Sequence, residues 1–244
     1  MANLLNLVDV DVDVDDTAIC RGVNLEVAQG ETHILFGPNG CGKSSLLSAV
    51  MGLPPYRTSG TIELNGESIG DAPVDVRARG GLALAFQRPP SLRGVSLRGL
   101  ARALDALNEL DAAVAALDLE GLAVRDLNAG FSGGEIKRSE IVKLALQRPT
   151  MCLFDEPESG VDLEHIAAVG AAIGDLLATP ADDGTRRGAL IITHTGFILD
   201  YLRADVGHLM LDGRIVYSGE PRELFGHIQR HGYTVPSAPA GASV

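Results

Sequence analysis

Gly37-Pro38-Asn39-Gly40-Cys41-Gly42-Lys43-Ser44 stands between an apolar run, Thr32 to Phe36, and a second run, Lys43 to Met51, whose apolar residues recur at helical spacing. A glycine-rich loop that leaves a strand and opens a helix is a phosphate cradle. Its glycines let backbone N–H groups approach an anion, and the helix N-terminus adds a favourable dipole. Lys43 places a point charge near the β- and γ-phosphates, and Ser44 supplies a hydroxyl to Mg²⁺. Gly-Pro-Asn-Gly alone would also suit a plain turn between strand and helix, but Gly-Lys-Ser at this spacing argues against that reading. An α/β fold follows.

A second stretch extends the nucleotide reading. Met151-Cys152-Leu153-Phe154 has the composition of a buried strand and ends on Asp155-Glu156-Pro157. Asp155 is placed to hold the Mg²⁺ shell, and Glu156 to orient or deprotonate an attacking water. Taken alone, such an acidic strand end is as often a cap as a catalytic pair, and the phosphate loop decides for catalysis. Ser132-Gly133-Gly134-Glu135 opens a helical pattern through Ile136, Ile141, Leu144, Ala145 and Leu146 that closes at Arg148-Pro149. Its N–H groups offer a second anion site, or simply an N-cap with two glycines.

With Gln87, the loop Ser159-Gly160-Val161-Asp162 and His194, these motifs stand in the order of the ABC ATPase family, which the chain resembles over about residues 5 to 233. The resemblance implies an ABC-type P-loop NTPase with a RecA-like core, an N-terminal antiparallel β-subdomain and a short helical subdomain. On that pattern residues 1–90 and 150–233 form the core with the β-subdomain, 91–149 the helical subdomain, and 234–244 a disordered tail. It also implies two ATP molecules sandwiched between two copies, each γ-phosphate meeting the phosphate loop of one and the Ser-Gly-Gly-Glu signature of the other. Carried over residue by residue, Gly37 to Lys43 with Ser44 and Ser45 hold the phosphates, and Ser132, Gly133 and Gly134 meet them from the second copy. Ser44, Gln87 and Asp155 serve Mg²⁺, Glu156 is the base, His194 holds the γ-phosphate, and Asp162 couples the two sites.

Finer matches resemble the SufC branch, the soluble ABC ATPases of iron–sulfur cluster assembly. They are Arg125 to Phe131 leading into the signature, Glu135 to Ile141 after it, Ala85 to Pro89 with Gly94-Val95-Ser96, Pro157 to Asp162, Ile198 to Leu202, and Gly213 to Val216 with His231-Gly232-Tyr233. The partner so implied is a SufB/SufD-like scaffold; the nucleotide-binding subunit of an importer, with a membrane permease as partner, is the alternative, and an ATP-dependent dimerisation switch a third reading. In the branch, a lysine at the place of Lys137 is able to pair with the catalytic glutamate, here Glu156, and so silence the lone subunit; read from its helix alone, Lys137 is equally a solvated residue. The stretch Ser91 to Leu127 is shorter than the branch leads one to expect, with Leu97, Leu100, Leu104, Leu107, Leu110, Val114 and Leu117 on one helix face and a second segment. Between Val10 and Ile19 there is no aromatic to stack on adenine.

The remaining composition excludes several classes. The 244 residues are 45% apolar, enough for one large α/β domain or two lobes, and the net charge of −12 argues against a nucleic-acid surface. The apolar runs fall short of the roughly 20 residues that span a bilayer, and a cytoplasmic protein is expected. Cys20, Cys41 and Cys152 show no metal-type spacing. Cys41 opens the phosphate-loop helix, a position that lowers a thiol's pKa, and redox control there is the sharper reading of it. Val8, Val10, Val12 and Val14 alternate with aspartates and predict a half-buried strand with all four valines inward; a calcium loop fails for want of the later Gly and Glu. Further strands are expected at Val23 to Ala28, Thr61 to Leu64 and Ala189 to Thr193, helices at Leu163 to Ala178 and Pro221 to Gln229, and a hairpin around Asp212-Gly213. His33 and His165 read as structural or solvent-facing.

Overall fold

In the computed structural model, residues 3–161 and 163–236 are described, with the backbone alone at 163–165. Two sheets organise the chain. The first is antiparallel, in the order β2 (Thr17–Ala28), β1 (Asn3–Val14), β4 (Arg57–Leu64), β5 (Glu67–Ser68). The second has six strands in the order β10 (Arg214–Gly219), β9 (Val206–Leu211), β3 (Thr32–Phe36), β8 (Gly188–Ile192), β7 (Met151–Asp155), β6 (Leu82–Ala85). It is parallel from β9 to β6, and β10 pairs antiparallel at its edge.

The apolar runs that predicted buried strands serve two cores at once. Ile34, Phe36, Ala83, Ala85, Cys152, Phe154, Ala189, Ile191 and Leu209 point to one face of the parallel sheet, while Leu35, Leu82, Met151, Leu153, Leu190, Ile192 and Met210 point to the other. This period-2 division explains why polar residues in β3, β7 and β8 stand only at the strand ends, Thr32 and Asp155, apart from His33. The antiparallel sheet and α1 (Lys43–Met51) cover the second face. The first is covered by α3 (Leu97–Ala103), α4 (Leu107–Ala116), α5 (Gly133–Leu146) and α6 (Leu163–Ala178). A short α2 (Val74–Arg79) and a final α7 (Pro221–His231) complete the helices among the described residues.

Two expectations are corrected. Val8 is 41% exposed, not inward, because the β1–β2 register shifts between Leu7 and Val10, where Asp9 takes φ 50°. Leu5 and Leu7 therefore face the core before the bulge, and Val10 and Val12 after it. Leu104 and Leu107 are exposed at 37% each, since the chain breaks between α3 and α4 at Asp105 (φ 53°), and buried Ala101 and Ala106 take the inner places. The other elements form as expected, with β2 and β4 longer than predicted. The Asp212-Gly213 turn has φ 45° and 76°, as a two-residue hairpin of right-handed twist requires. Residues 237–244 of the predicted tail lie outside the described residues.

The helix behind the phosphate loop is anchored from its far end. Arg77 on α2, 3% exposed, donates to the Ala49 and Val50 carbonyls at 3.1 and 2.7 Å and to Ala72 and Gly70 at 2.8 and 2.6 Å. A guanidinium at these C-terminal carbonyls gives Val50 a donor, adds to the Gly52 N–H that Ala49 already accepts, and interacts favourably with the helix dipole.

Candidate functional site

The carboxyl ends of the parallel strands converge on one cavity of about 630 Å³, lined by Pro38, Asn39, Gly40, Lys43, Ser44, Gln87, Glu156, His194 and Tyr233. Each lining residue but Tyr233 is delivered by a strand end or by the loop and helix after it, the place where open α/β sheets carry their ligands. After β3 the loop 37–42 turns into α1. Gly42 sits at φ 108°, in the left-handed region, and a Cβ there would come within 3.0 Å of Cys20 Sγ. A Cβ on Gly37 would meet the Met210 carbonyl oxygen at 2.4 Å, so the first loop residue is glycine because β9 leaves no room for more.

Lys43 folds back across this loop. Its Nζ donates to the Gly37 and Pro38 carbonyls at 2.8 and 2.9 Å, and the side chain is 5% exposed. Burial draws its pKa below the usual lysine range, while Cys41, Glu156 and Asp155 oppose that drift. Ser44 Oγ donates to Asp155 Oδ1 at 2.9 Å. Asp155 is held above its ordinary pKa by burial, against the Ser44 hydrogen bond. Glu156, the next residue, takes φ 48°, a left-handed conformation that turns its carboxylate out of the strand. Gln87 Nε2 donates to Glu156 Oε2 at 2.5 Å, and His194 Nε2 lies 2.6 Å from Oε1. One carboxylate is thus held between the ends of β6 and β8.

Lys137 lies behind this group. From α5 its Nζ donates to the carbonyls of Gln87 at 2.7 Å, Glu156 at 3.0 Å and Phe86 at 3.5 Å. The expected pairing with the Glu156 carboxylate is not what forms: the carboxylate points to Gln87 and His194, and the ammonium takes the backbone oxygen instead. Lys137 is 5% exposed, and burial lowers its pKa against the pull of Glu140, Asp155, Glu158 and Glu156. Glu158, also buried, accepts from Thr193 Oγ1 and, at 3.1 Å, Thr195 Oγ1, the two residues that flank His194.

The other residues singled out from sequence fall outside the cavity wall. Gly37, Cys41, Gly42 and Ser45 do not line the cavity. Ser132, Gly133 and Gly134 do not line the cavity; Ser132 and Glu135 exchange side-chain and backbone bonds in a capping box at the start of α5. Gly133 packs so closely that a Cβ would lie 2.8 Å from the Gly160 carbonyl. Asp162 and the side chain of His165 lie outside the described residues. Cys41 is corrected: it is buried, and desolvation raises its pKa more than Lys43 lowers it, so the helix start does not yield a thiolate. Cys152 is fully buried in β7 and pushed up to about 12. His33 is buried too, its Nδ1 2.9 Å from His208 Nε2. Tyr233 was missed as a lining residue. No spacing rule brings a residue beyond the last helix to the phosphate loop, and only its place in the His-Gly-Tyr ending drew notice.

Comparisons with known proteins identify the family. The family model described as ABC transporter matches residues 20–159. A probable ABC transporter ATP-binding protein of Streptococcus pyogenes is 38% identical over 95% of this chain and 94% of its own. The chain belongs to the ABC ATPase family. It is similar at 36% identity to the probable ATP-dependent transporter SufC of Escherichia coli, over 94% of this chain and 97% of that one. Vegetative protein 296 of Bacillus subtilis is 37% identical, over 95% and 92%. An ATP-binding cassette of an ABC transporter, solved in its ADP conformation, superposes with a TM-score of 0.76 at 22% identity, covering 95% of this chain and 96% of that chain; this likeness concerns the fold alone. The protein is therefore an ATP-hydrolysing ABC ATPase of SufC-like kind. No helix among the described residues is long and apolar enough to cross a membrane.

Proposed function

We propose that this ABC ATPase hydrolyses Mg²⁺-ATP at a site shared by two copies, and that closure and reopening of the pair drive conformational change in a soluble SufB/SufD-like scaffold on which iron–sulfur clusters are assembled. The observation that carries the catalytic part is the Glu156 carboxylate suspended between Gln87 and His194, beside the Ser44–Asp155 pair. The Ser44 hydroxyl, an Asp155 oxygen and the Gln87 amide oxygen form the hard oxygen set that Mg²⁺ prefers. When bound, Mg²⁺ would supply charge neutralisation and alignment of the phosphate oxygens.

The roles follow from position. Lys43, whose ammonium already crosses the loop, meets the β- and γ-phosphates, with the loop N–H groups from Gly37 to Ser45 around them. Glu156 orients and deprotonates the water, because it alone of the lining residues is a carboxylate facing the cavity. His194 holds the γ-phosphate and Gln87 reports its presence to the segment that follows β6. Ser132, Gly133 and Gly134 stand away from the cavity of their own chain, which supports their use by a second copy. Asp162 would couple the two sites. Closure is then a population shift that ATP drives by binding the closed pair more tightly than the open one.

The scaffold assignment rests on the likeness to SufC over nearly the whole of both chains. Its test is purification from the native host under anaerobic conditions, with mass spectrometry of stoichiometric partners in soluble and detergent-extracted fractions. A soluble partner carrying iron and sulfide is expected. A co-purifying multi-span permease would transfer the same ATPase cycle to import.

A further inference from the structure

One wall of the cavity comes from the C-terminal strap. α7 is fixed to the core by Phe225, whose ring stacks on Phe36 at 5.7 Å and 19°, and by the buried Leu224. The helix ends with Gly232 N–H donating to the Ile228 carbonyl at 2.8 Å, in a backbone conformation of φ 71° and ψ −168°. The chain then doubles back. Thr234 N–H donates to the Gly232 carbonyl at 2.8 Å, and His227 Nε2 lies 3.0 Å from both the carbonyl and the hydroxyl oxygen of Thr234. Tyr233, held between these two pinned neighbours, packs against the core that the helices share and lines the cavity with Lys43, Ser44, Gln87, Glu156 and His194.

The ring and the hydroxyl have different surroundings. The ring contributes to the apolar cluster, whereas Cys41 and the Glu156 carboxylate are the ionisable groups whose charge reaches the phenol. Burial and these two groups raise its pKa, so the phenol keeps its proton. A neutral O–H beside a site that gathers phosphate is a donor which brings no negative charge of its own.

We propose that Tyr233 is a nucleotide-binding residue, its phenol hydroxyl donating to the polyphosphate of the triphosphate that Lys43 and Ser44 hold. The inference rests on the assignment of this cavity to ATP. It gives the C-terminal strap a function: a chain segment remote in sequence closes the phosphate end of the site, so docking of α7 and affinity for ATP are linked.

The experiment is equilibrium titration of ATP into the full-length wild type, Tyr233→Phe and Tyr233→Ala, with thermal unfolding of each variant and steady-state ATPase rates alongside. Tyr233→Phe keeps the buried ring and is expected to retain the wild-type Tm while its Kd for ATP rises about tenfold, the loss of one hydrogen bond to a charged acceptor. KM should rise with it and kcat stay within about twofold, as for a contact made equally in the ground and transition states. ATP affinity of Tyr233→Phe equal to wild type, with only Tyr233→Ala impaired, would reduce the residue to packing and overturn the proposal. Absence of ATP binding by the wild type would instead overturn the assignment of the cavity, and this inference with it.

Discussion

Lys137 offers the sharpest test of how the Glu156 carboxylate is held. The residue is 5% exposed, and its ammonium reaches the carbonyls of Gln87 at 2.7 Å and Glu156 at 3.0 Å, with Phe86 at the longer distance of 3.5 Å. Lys137→Met keeps the length and the apolar stem and removes every donor. Two strongly bonded carbonyls lose their partner, and at ~1–3 kcal/mol for each buried group left unpaired the gross cost is about 2–6 kcal/mol. Relief of the buried ammonium's own desolvation, visible in its lowered pKa, returns part of this, leaving a net loss of about 2–4 kcal/mol. For a chain of this size about 2–4 °C accompany each kcal/mol, so Tm should fall by about 5–15 °C. The segments carrying Gln87 and Glu156 lose their common anchor, so kcat should fall as well. Thermal unfolding and a coupled ATPase assay on the same preparation read both quantities. A Tm within about 2 °C of wild type would refute the anchoring argument. A raised basal ATPase would show that Lys137 restrains the Glu156 carboxylate after all.

Other outcomes follow from the same geometry. Arg77→Met strips the cap from the Ala49 and Val50 carbonyls behind the phosphate loop, and urea unfolding should show a loss of about 2–4 kcal/mol. Gly37→Ala forces a Cβ to 2.4 Å from the Met210 carbonyl, so titration calorimetry should find ATP binding weakened by more than about tenfold. His208 is buried with its pKa lowered to about 3, next to His33, which burial also lowers and Glu31 and Asp205 raise. An unfolded histidine titrates near about 6.5, so the unfolded chain binds the extra proton below that pH; this stability is full above about 6.5 and drains away as pH falls toward 3, at up to about 1.4 kcal/mol per unit. His208→Asn should flatten the slope of unfolding free energy against pH between neutrality and pH 5, and an unchanged slope would assign the acid sensitivity elsewhere.

The parts of the fold set by local pattern were legible from sequence. β3, the loop 37–42 and α1 fall where an apolar run, glycines and a helical run placed them, and α5 opens with Ser132 as its N-cap, one of the two readings of that stretch. Non-local contacts were not legible. The outward turn of Val8 depends on a bulge opposite β2, and strict alternation contains no signal for an extra residue. Lys137 reads equally as a solvated helix residue, because its three carbonyl partners come from the segments just after β6 and β7 and no spacing on α5 encodes them. Cys41 at a helix start suggests an acidic thiol, yet burial outweighs the charge of Lys43 and the hydrogen bonds that favour the thiolate. Tyr233 reaches the cavity only through the docking of α7 on β9 and β3.

The claim that two copies build each ATP site is tested most directly by mixing two inactive variants, one with Lys43→Ala and one with Ser132→Arg. In a mixed pair one composite site joins the intact Lys43 of one copy to the intact Ser132 of the other, and the second site carries both lesions. The account predicts little ATPase activity from either variant alone and recovery toward about half of the wild-type rate per mixed pair, rising with protein concentration. No recovery on mixing, with both variants folded and able to associate, would contradict a shared site. Full activity of Ser132→Arg alone would contradict it equally, by confining hydrolysis to a single chain.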